Sequence, residues 1–235
     1  MEEDFAGKRI FITGASKGLG AVCFKEFAKR GGRLAISGRT QGNLEELLKS
    51  TKVPDSHIAI ASDLSQLSNI HEFVQKGLEF LGGIDIIIHA LGGGYGFSDP
   101  MLSWEQFEIL HKINLYAGVE INRLTIPKMI ENHSGTIIHV GSIASQEAVG
   151  SVGYNTVKAA LAAYVRSLGR EMASSGIIVT GILPGGFTAP GNAMIRLQEK
   201  KPDVYDTFIN ERLKNFGFVF LEPYHRITWS SKPSW

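Results

Sequence analysis

The chain has 235 residues, of which 43% are apolar and 20% charged, enough apolar surface to offset the entropy of ordering and to exclude intrinsic disorder. With 24 Lys+Arg against 23 Asp+Glu the net charge is +1, which offers no general attraction to nucleic acid or to an anionic membrane. The single cysteine, Cys23, cannot close an internal disulfide, and the acidic start MEED lacks the basic and apolar regions of a secretion signal; both point to a reducing, cytoplasmic setting. The longest apolar stretch, Ile84–Leu91, is far too short for a membrane span. Cys23 stands between Val22 and Phe24 in a helix-like segment and reads as buried filler, not a nucleophile.

Strand and helix patterns alternate from the start. Lys8–Thr13 reads as a buried strand, followed by a Gly-rich turn and a packed helix over Leu19–Arg30 that Gly31-Gly32 stops. Arg33–Ser37 is strand-like, Asn43–Ser50 a helix with Asn43 as its cap, and His57–Ser62 a third strand. An amphipathic helix over Leu67–Phe80 closes at Gly82-Gly83. Ile84–Ala90 is an almost unbroken apolar strand, as expected where both sheet faces are covered. A long helical stretch from Ser103 to Asn132 contains Pro127, which is expected to bend it. Thr136–Val140 is a strand, Tyr154–Ala173 a helix, and Ile177–Leu183 the sixth strand. Six strand–helix alternations with right-handed crossovers predict an α/β fold: one doubly wound Rossmann domain over residues 1–235, its central parallel sheet flanked by helices. The aromatic-rich end from Phe216 to Trp235 has no clear period and no assigned element.

Between the first strand and the first helix stands Thr13-Gly14-Ala15-Ser16-Lys17-Gly18-Leu19-Gly20. Glycines 14, 18 and 20 permit a tight turn, a close approach to a pyrophosphate and hard packing of helix on strand. The Gly-Lys-Ser/Thr ending of a nucleotide-hydrolase loop is absent. At the tip of the second strand, where an acid would bind a ribose 2′-hydroxyl, there is Arg39, with Lys17 nearby in the loop. Two cations without a carboxylate suit a 2′-phosphate, so NADP(H) is expected ahead of NAD(H). Asp63-Leu64 after the third strand would address the adenine edge and cover its face.

Tyr154 and Lys158, four residues apart, share one face of a predicted helix. Reduction of a carbonyl needs a proton donor at its oxygen, and a phenol with a pKa near 10 is poorly matched to neutral pH unless a neighbouring cation lowers it. Ser142, at the carboxyl end of the fifth strand, would hydrogen-bond the same substrate oxygen. With these residues in place the sequence resembles the short-chain dehydrogenase/reductase family, in its compact branch of 3-oxoacyl-carrier-protein reductase-like members. TGASKGLG matches that family's TGxxxGxG loop, and Ser142, Tyr154 and Lys158 match its Ser and YxxxK. Asn114 in KINL matches the fourth catalytic residue, and Pro184-Gly185 with Thr188 match the segment that contacts the nicotinamide end. The resemblance implies an NADPH-dependent carbonyl reductase, reversible as an alcohol dehydrogenase, with Asn114, Ser142, Tyr154 and Lys158 catalytic and no metal. Its cofactor contacts would come from Gly14, Ser16, Lys17, Gly18, Leu19, Gly20, Arg39, Asp63, Leu64, Ala90, Gly92, Tyr154, Lys158, Pro184, Gly185 and Thr188. In that scheme Lys158 lowers the Tyr154 pKa and holds the nicotinamide ribose, and Asn114 supports a relay water.

Three departures stand out. The family's usual Asn-Asn-Ala-Gly is here His89-Ala90-Leu91-Gly92, so His89 would have to tie neighbouring strands with a ring nitrogen. The loop Gly92–Gly96 is unusually glycine-rich, which would loosen the substrate mouth. The stretch 216–235 does not match the family's last helix and seventh strand, so that strand is expected to be missing or altered. These departures motivate a rival reading, a catalytically inactive NADP(H)-binding sensor or scaffold. The resemblance further implies a homodimer through the helices of Ser103–Asn132 and Tyr154–Ala173, with a tetramer less expected, and a substrate lid from Phe187 and Pro190 to Asn210. Met194, Ile195 and Leu197 in that lid suit a medium-sized hydrophobic or acyl-type ketone.

Overall fold

The computed structural model of the protein describes residues 4–185 and 193–216. Strand β1 (Arg9–Thr13) sends successive side chains into two different cores. Ile10 and Ile12 pack with Leu34 and Ile36 of β2 (Arg33–Gly38) and with Phe24 of α1 (Gly18–Lys29) and Leu44 of α2 (Gln41–Lys49), while Phe11 and Ala35 face the opposite side. Both faces are covered, which is why these strands read as continuous apolar runs. Strands β3 (His57–Ala61), β4 (Ile86–His89), β5 (Gly135–Val140) and β6 (Ile177–Ile182) complete a six-stranded parallel sheet among the described residues. Its order, β3-β2-β1-β4-β5-β6, reverses direction between β1 and β4. That switch point opens a crevice at the carboxyl ends of the strands.

Helix α3 (Leu67–Leu81) closes down on Phe11 because Gly77 has no side chain; a Cβ there would lie 2.6 Å from the Phe11 ring. Gly82 ends α3 in the left-handed conformation at φ 74°, as its glycine pair predicts. Helix α2 begins earlier than a cap at Asn43 would allow: Thr40 occupies the cap position and Asn43 lies inside the first turn. The long helical stretch is α4 (Trp104–His111) and α5 (Ala117–Glu131), joined by a π-helical turn over Lys112–Tyr116 that holds Asn114. Ser103 and Gln106 form a reciprocal capping box at its start. Helix α6 (Val152–Met172) carries Tyr154 and Lys158.

The chain divides into two compact units, Met1–Pro184 and Gly185–Trp235. In the second, α7 (Ala193–Lys200) and α8 (Pro202–Phe216) pack on one another. The tail beyond Phe216 lies outside the described residues, as do Thr188 and, of the expected lid, Phe187 and residues 190–192. Among the described residues no helix is long and apolar enough to cross a membrane. Burial pushes the Cys23 thiol up, away from the thiolate a nucleophile needs.

At the amino end of β3, far from the crevice, the ring of His57 packs edge-on against Phe24 with neither nitrogen hydrogen-bonded. Burial lowers its pKa from 6.5 to about 4. Between those values the unfolded chain binds a proton that the folded chain refuses, so His57 withdraws stability as pH falls from 6.5 towards 4. His57→Phe keeps the ring contact and removes two dry polar atoms. It should stabilise the fold by about 1 kcal/mol, seen as a rise of about 2–4 °C in Tm, and the gain should be larger at pH 5 than at pH 8 in thermal melts.

Candidate active site

The loop after β1 is shaped by backbone packing. Gly14 adopts φ 67°, and a Cβ there would stand 2.9 Å from the Ala90 carbonyl and the Leu91 backbone. A Cβ at Gly20 would stand 2.5 Å from the Gly14 carbonyl, so α1 can approach β1 this closely only with glycine. Gly18 is the opposite case: φ is 60° and nothing lies within 4 Å of where its Cβ would be. Lys17 holds the cap position of α1 and makes no side-chain cap bond. Free amides facing open space at a helix N-terminus fit the pyrophosphate of a dinucleotide. Ser16 packs on Gly38 at the tip of β2, with Leu19 half-buried beside it on α1.

Arg39 is exposed at that tip and donates from Nη1 to the Tyr95 hydroxyl at 3.1 Å, its guanidinium 5.7 Å from the ring centre. Tyr95 itself has φ 54°, a conformation uncommon for a residue with a side chain. Asp63 stands at the turn after β3, where its carboxylate accepts from the Ser65 amide. Leu64 corrects the sequence reading: its side chain is 3% exposed and belongs to the core with Phe11 and Phe73, so it cannot cover an adenine face. Only its backbone is left for a ligand.

Ser142 caps a short 3-10 turn immediately after β5, accepting from the Ala144 amide at 3.1 Å, and it hydrogen-bonds the Tyr154 hydroxyl. Tyr154 and Lys158 follow one another along α6; Lys158 Nζ lies 5.6 Å from the centre of the Tyr154 ring and donates to the Val140 carbonyl at 3.1 Å. Burial lowers the Lys158 ammonium to about 8. The expected depression of Tyr154 by that cation is absent in the chain alone: burial raises the phenol, and the Ser142 hydrogen bond only partly opposes it. Tyr154 is therefore held protonated, as a proton donor must be.

Asn114 is 5% exposed, and its side chain is fully engaged. Oδ1 accepts from the Gly93 amide at 3.0 Å, while Nδ2 donates to the Gly93 carbonyl at 3.0 Å and to the Leu110 carbonyl at 2.9 Å. The glycine-rich loop is thus tied down at Gly93 and, through Tyr95, at Arg39, where its composition alone predicts looseness. Gly92 gives the closest approach: a Cβ would stand 2.7 Å from Asn114 Oδ1 and 3.3 Å from Lys158 Nζ. His89 does bind through a ring nitrogen, but to a helix: Nε2 donates to Asn122 Oδ1 of α5 at 2.8 Å, and the ring stacks on His139 of β5 at 4.3 Å. Among the described residues no three His, Cys, Asp or Glu side chains could share a metal ion.

The structure thus gathers Gly14–Gly20, Arg39, Ala90, Gly92, Asn114, Ser142, Tyr154 and Lys158 at the carboxyl edge of the sheet. Pro184 joins them, its carbonyl accepting from the Ile143 amide at 3.1 Å. Gly185 belongs to the second unit, and Thr188 lies outside the described residues. Sequence reasoning missed Tyr95, Asn122, His139 and Tyr164. The available signal was a histidine at the end of β4, His89, and another one residue before the end of β5, His139, which the register sets opposite one another.

A family model for short chain dehydrogenases matches residues 8–200. A glucose 1-dehydrogenase of Gluconobacter oxydans is 31% identical over 198 residues, spanning 81% of this chain and 73% of the relative. Among solved structures, a 3-ketoacyl-(acyl-carrier-protein) reductase from Brucella melitensis complexed with NADH is 26% identical with a TM-score of 0.72, over 79% of this chain and 78% of that one. L-sorbose reductase from Gluconobacter frateurii, complexed with NADPH and L-sorbose, is 25% identical with a TM-score of 0.80, over 91% of this chain and 83% of that one. The loop that fits a pyrophosphate, the phenol held protonated beside a serine and these likenesses agree: the chain belongs to the short chain dehydrogenase family, as an NAD(P)-dependent oxidoreductase of CH–OH and C=O groups.

Proposed function

We propose that the protein is an NADPH-dependent reductase of a ketone or other carbonyl, reversible as an alcohol dehydrogenase, with Asn114, Ser142, Tyr154 and Lys158 as its catalytic residues. The observation that carries this reading is the convergence of the Ser142 hydroxyl, the protonated Tyr154 phenol and the Lys158 ammonium on one spot at the end of β5. Bound NADPH would supply the hydride for the carbonyl carbon. Tyr154 donates its proton to the carbonyl oxygen, and Ser142 holds that oxygen by hydrogen bonding. The backbone around Gly14, Gly18 and Gly20 receives the pyrophosphate, and the buried Lys158 places a positive charge beside the phenol for the moment it becomes phenolate.

Preference for NADPH is supported by Arg39 and Lys17, two exposed cations at the β2 tip and the loop with no carboxylate at that tip. Arg39→Ala should raise the KM for NADPH about tenfold, the worth of one charge-assisted phosphate contact, and leave the KM for NADH unchanged. Equal effects on both would overturn the preference. A homodimer is supported by the apolar side chains that α4 and the π-turn leave in solvent, Trp104 at 81% exposure and Tyr116 at 51%. Sedimentation should show a dimer at micromolar concentration; a stable monomer would refute it. The cytoplasm is the proposed location. Following NADPH and NADH absorbance across a ketone panel of hydrophobic, acyl and sugar-like carbonyls tests the whole reading. Tight NADPH binding without oxidation by any of them would favour the sensor or scaffold.

A further inference from the structure

Behind Asn114 and Lys158, the two histidines are wired in a way that gives their rings opposite tautomers. Asn122 of α5 reaches both. Its Oδ1 can only accept, so the 2.8 Å bond from His89 places the His89 proton on Nε2 and leaves Nδ1 a bare acceptor. Its Nδ2 can only donate, so the 3.2 Å bond to His139 Nε2 leaves that nitrogen bare and places the proton on Nδ1. The second proton of the same amide goes to the Tyr164 hydroxyl at 3.1 Å; a hydroxyl accepts or donates, so turning the amide would exchange the two ring tautomers and still leave them opposite. One asparagine thus imposes opposite tautomers on two stacked rings.

Both Nδ1 atoms look the same way. A Cβ on Gly118 would stand 3.5 Å from His139 Nδ1 and 3.7 Å from His89 Nδ1, so both ring edges lie beneath the bare backbone of α5. That edge borders a cavity of about 10 Å³ whose walls also include Thr13, Asn114, Gly118 and Val140. A single water needs roughly 10–15 Å³ and two to four polar partners. The His139 Nδ1 proton and the His89 Nδ1 lone pair are one donor and one acceptor. Thr13, whose hydroxyl oxygen already accepts from the Leu91 amide, retains its own proton for a third bond.

The charges around the pair keep both rings neutral. His139 faces His89 from β4 and Lys158 from α6; burial and these two groups hold it down to about 2. His89 is held at about 4 by burial, against its bond to Asn122 from α5. The phenol of Tyr164 on α6 is itself raised by burial and stays protonated. Neutral rings of fixed tautomer orient a water without capturing its proton. A water so held would lie beside Val140, whose carbonyl receives Lys158.

We propose that His89 and His139, set in opposite tautomers by Asn122, bind one water molecule in this cavity and act as positioning residues for the proton path through Lys158. The catalytic half of this inference rests on the reductase reading, whereas the tautomers and the water site do not. The first test is therefore independent of turnover. Long-range proton–nitrogen correlation spectra of the full chain with nitrogen-15 histidine should show His89 protonated on Nε2 and His139 on Nδ1, with neither ring titrating between about pH 5.5 and 7.5, about a unit either side of the ordinary histidine value. Like tautomers, or a ring that titrates near 6.5, would overturn the proposal.

The second test is kinetic. His139→Phe keeps a stacked ring and removes the donor to the water; kcat should fall about tenfold, one hydrogen bond's worth, with the KM for NADPH unchanged. Asn122→Asp offers only acceptors, so His139 must move its proton to Nε2, and a new ionisation near neutrality should appear in the pH profile of kcat. Wild-type kcat in His139→Phe would remove these residues from the proton path. If no carbonyl is reduced but the opposite tautomers are seen, the reductase reading falls and the pairing of the two rings through Asn122 stands.

Discussion

Tyr154→Phe is expected to lower kcat by about 10³-fold, in the range of a lost general acid, while NADPH affinity stays within about twofold and Tm is unchanged. The ring is clamped by two glycine backbones. A Cβ on Gly150 would stand 2.8 Å from the ring edge, and one on Gly94 would stand 3.7 Å from the other side. Phenylalanine keeps all of that packing and loses only the hydroxyl that meets Ser142. Because burial raises the phenol in the free chain, the wild-type residue enters reduction already protonated, while Lys158 donates to the Val140 carbonyl and Asn114 is held by Gly93 and Leu110. Fluorescence titration with NADPH beside steady-state turnover separates binding from chemistry. Turnover within tenfold of the wild type would remove Tyr154 from its assigned role.

The strands, their parallel pairing, the glycine turn after β1 and the placement of Tyr154 and Lys158 on one helix were legible because each rests on local pattern: buried β-branched runs, glycines at fixed offsets, and two side chains on one helix face. The same holds for the left-handed glycine that ends α3. What stayed hidden is decided across the fold. Leu64 follows Asp63 in a loop, and nothing in the sequence says that it turns inward to meet Phe73. The loop of Gly92–Gly96 reads as slack, yet Asn114, some twenty residues later, grips Gly93 by both its amide and its carbonyl. That grip needs the π-turn of Lys112–Tyr116 to present Asn114, and a π-turn has no sequence signature of its own. His89 was visible as a departure, but its partners come from β5 and α5, and only sheet register places His139 opposite it.

Gly92→Ala joins that loop to the chemistry and carries the second large effect. One methyl group would enter 2.7 Å from Asn114 Oδ1 and 3.3 Å from Lys158 Nζ. Asn114 cannot retreat without breaking three hydrogen bonds, to both polar atoms of Gly93 and to the Leu110 carbonyl. Lys158, 3% exposed and bonded to Val140, has no solvent to move into. Either the loop lifts and frees Gly93, or the two side chains shift; overpacking of this kind costs about 1–3 kcal/mol in stability. Activity should suffer more, because displacing a positioned group by about an ångström costs about a hundredfold. Gly96→Ala is the matched control. It lies in the same loop at φ 80°, so alanine is strained there too, but nothing stands within 4 Å of its Cβ. That variant should lose about 1 kcal/mol of stability with kcat nearly intact, while Gly92→Ala loses both. If the two variants turn over alike, the strain of the loop and not the crowding of Asn114 and Lys158 governs the site, and the close approach at Gly92 has no part in catalysis.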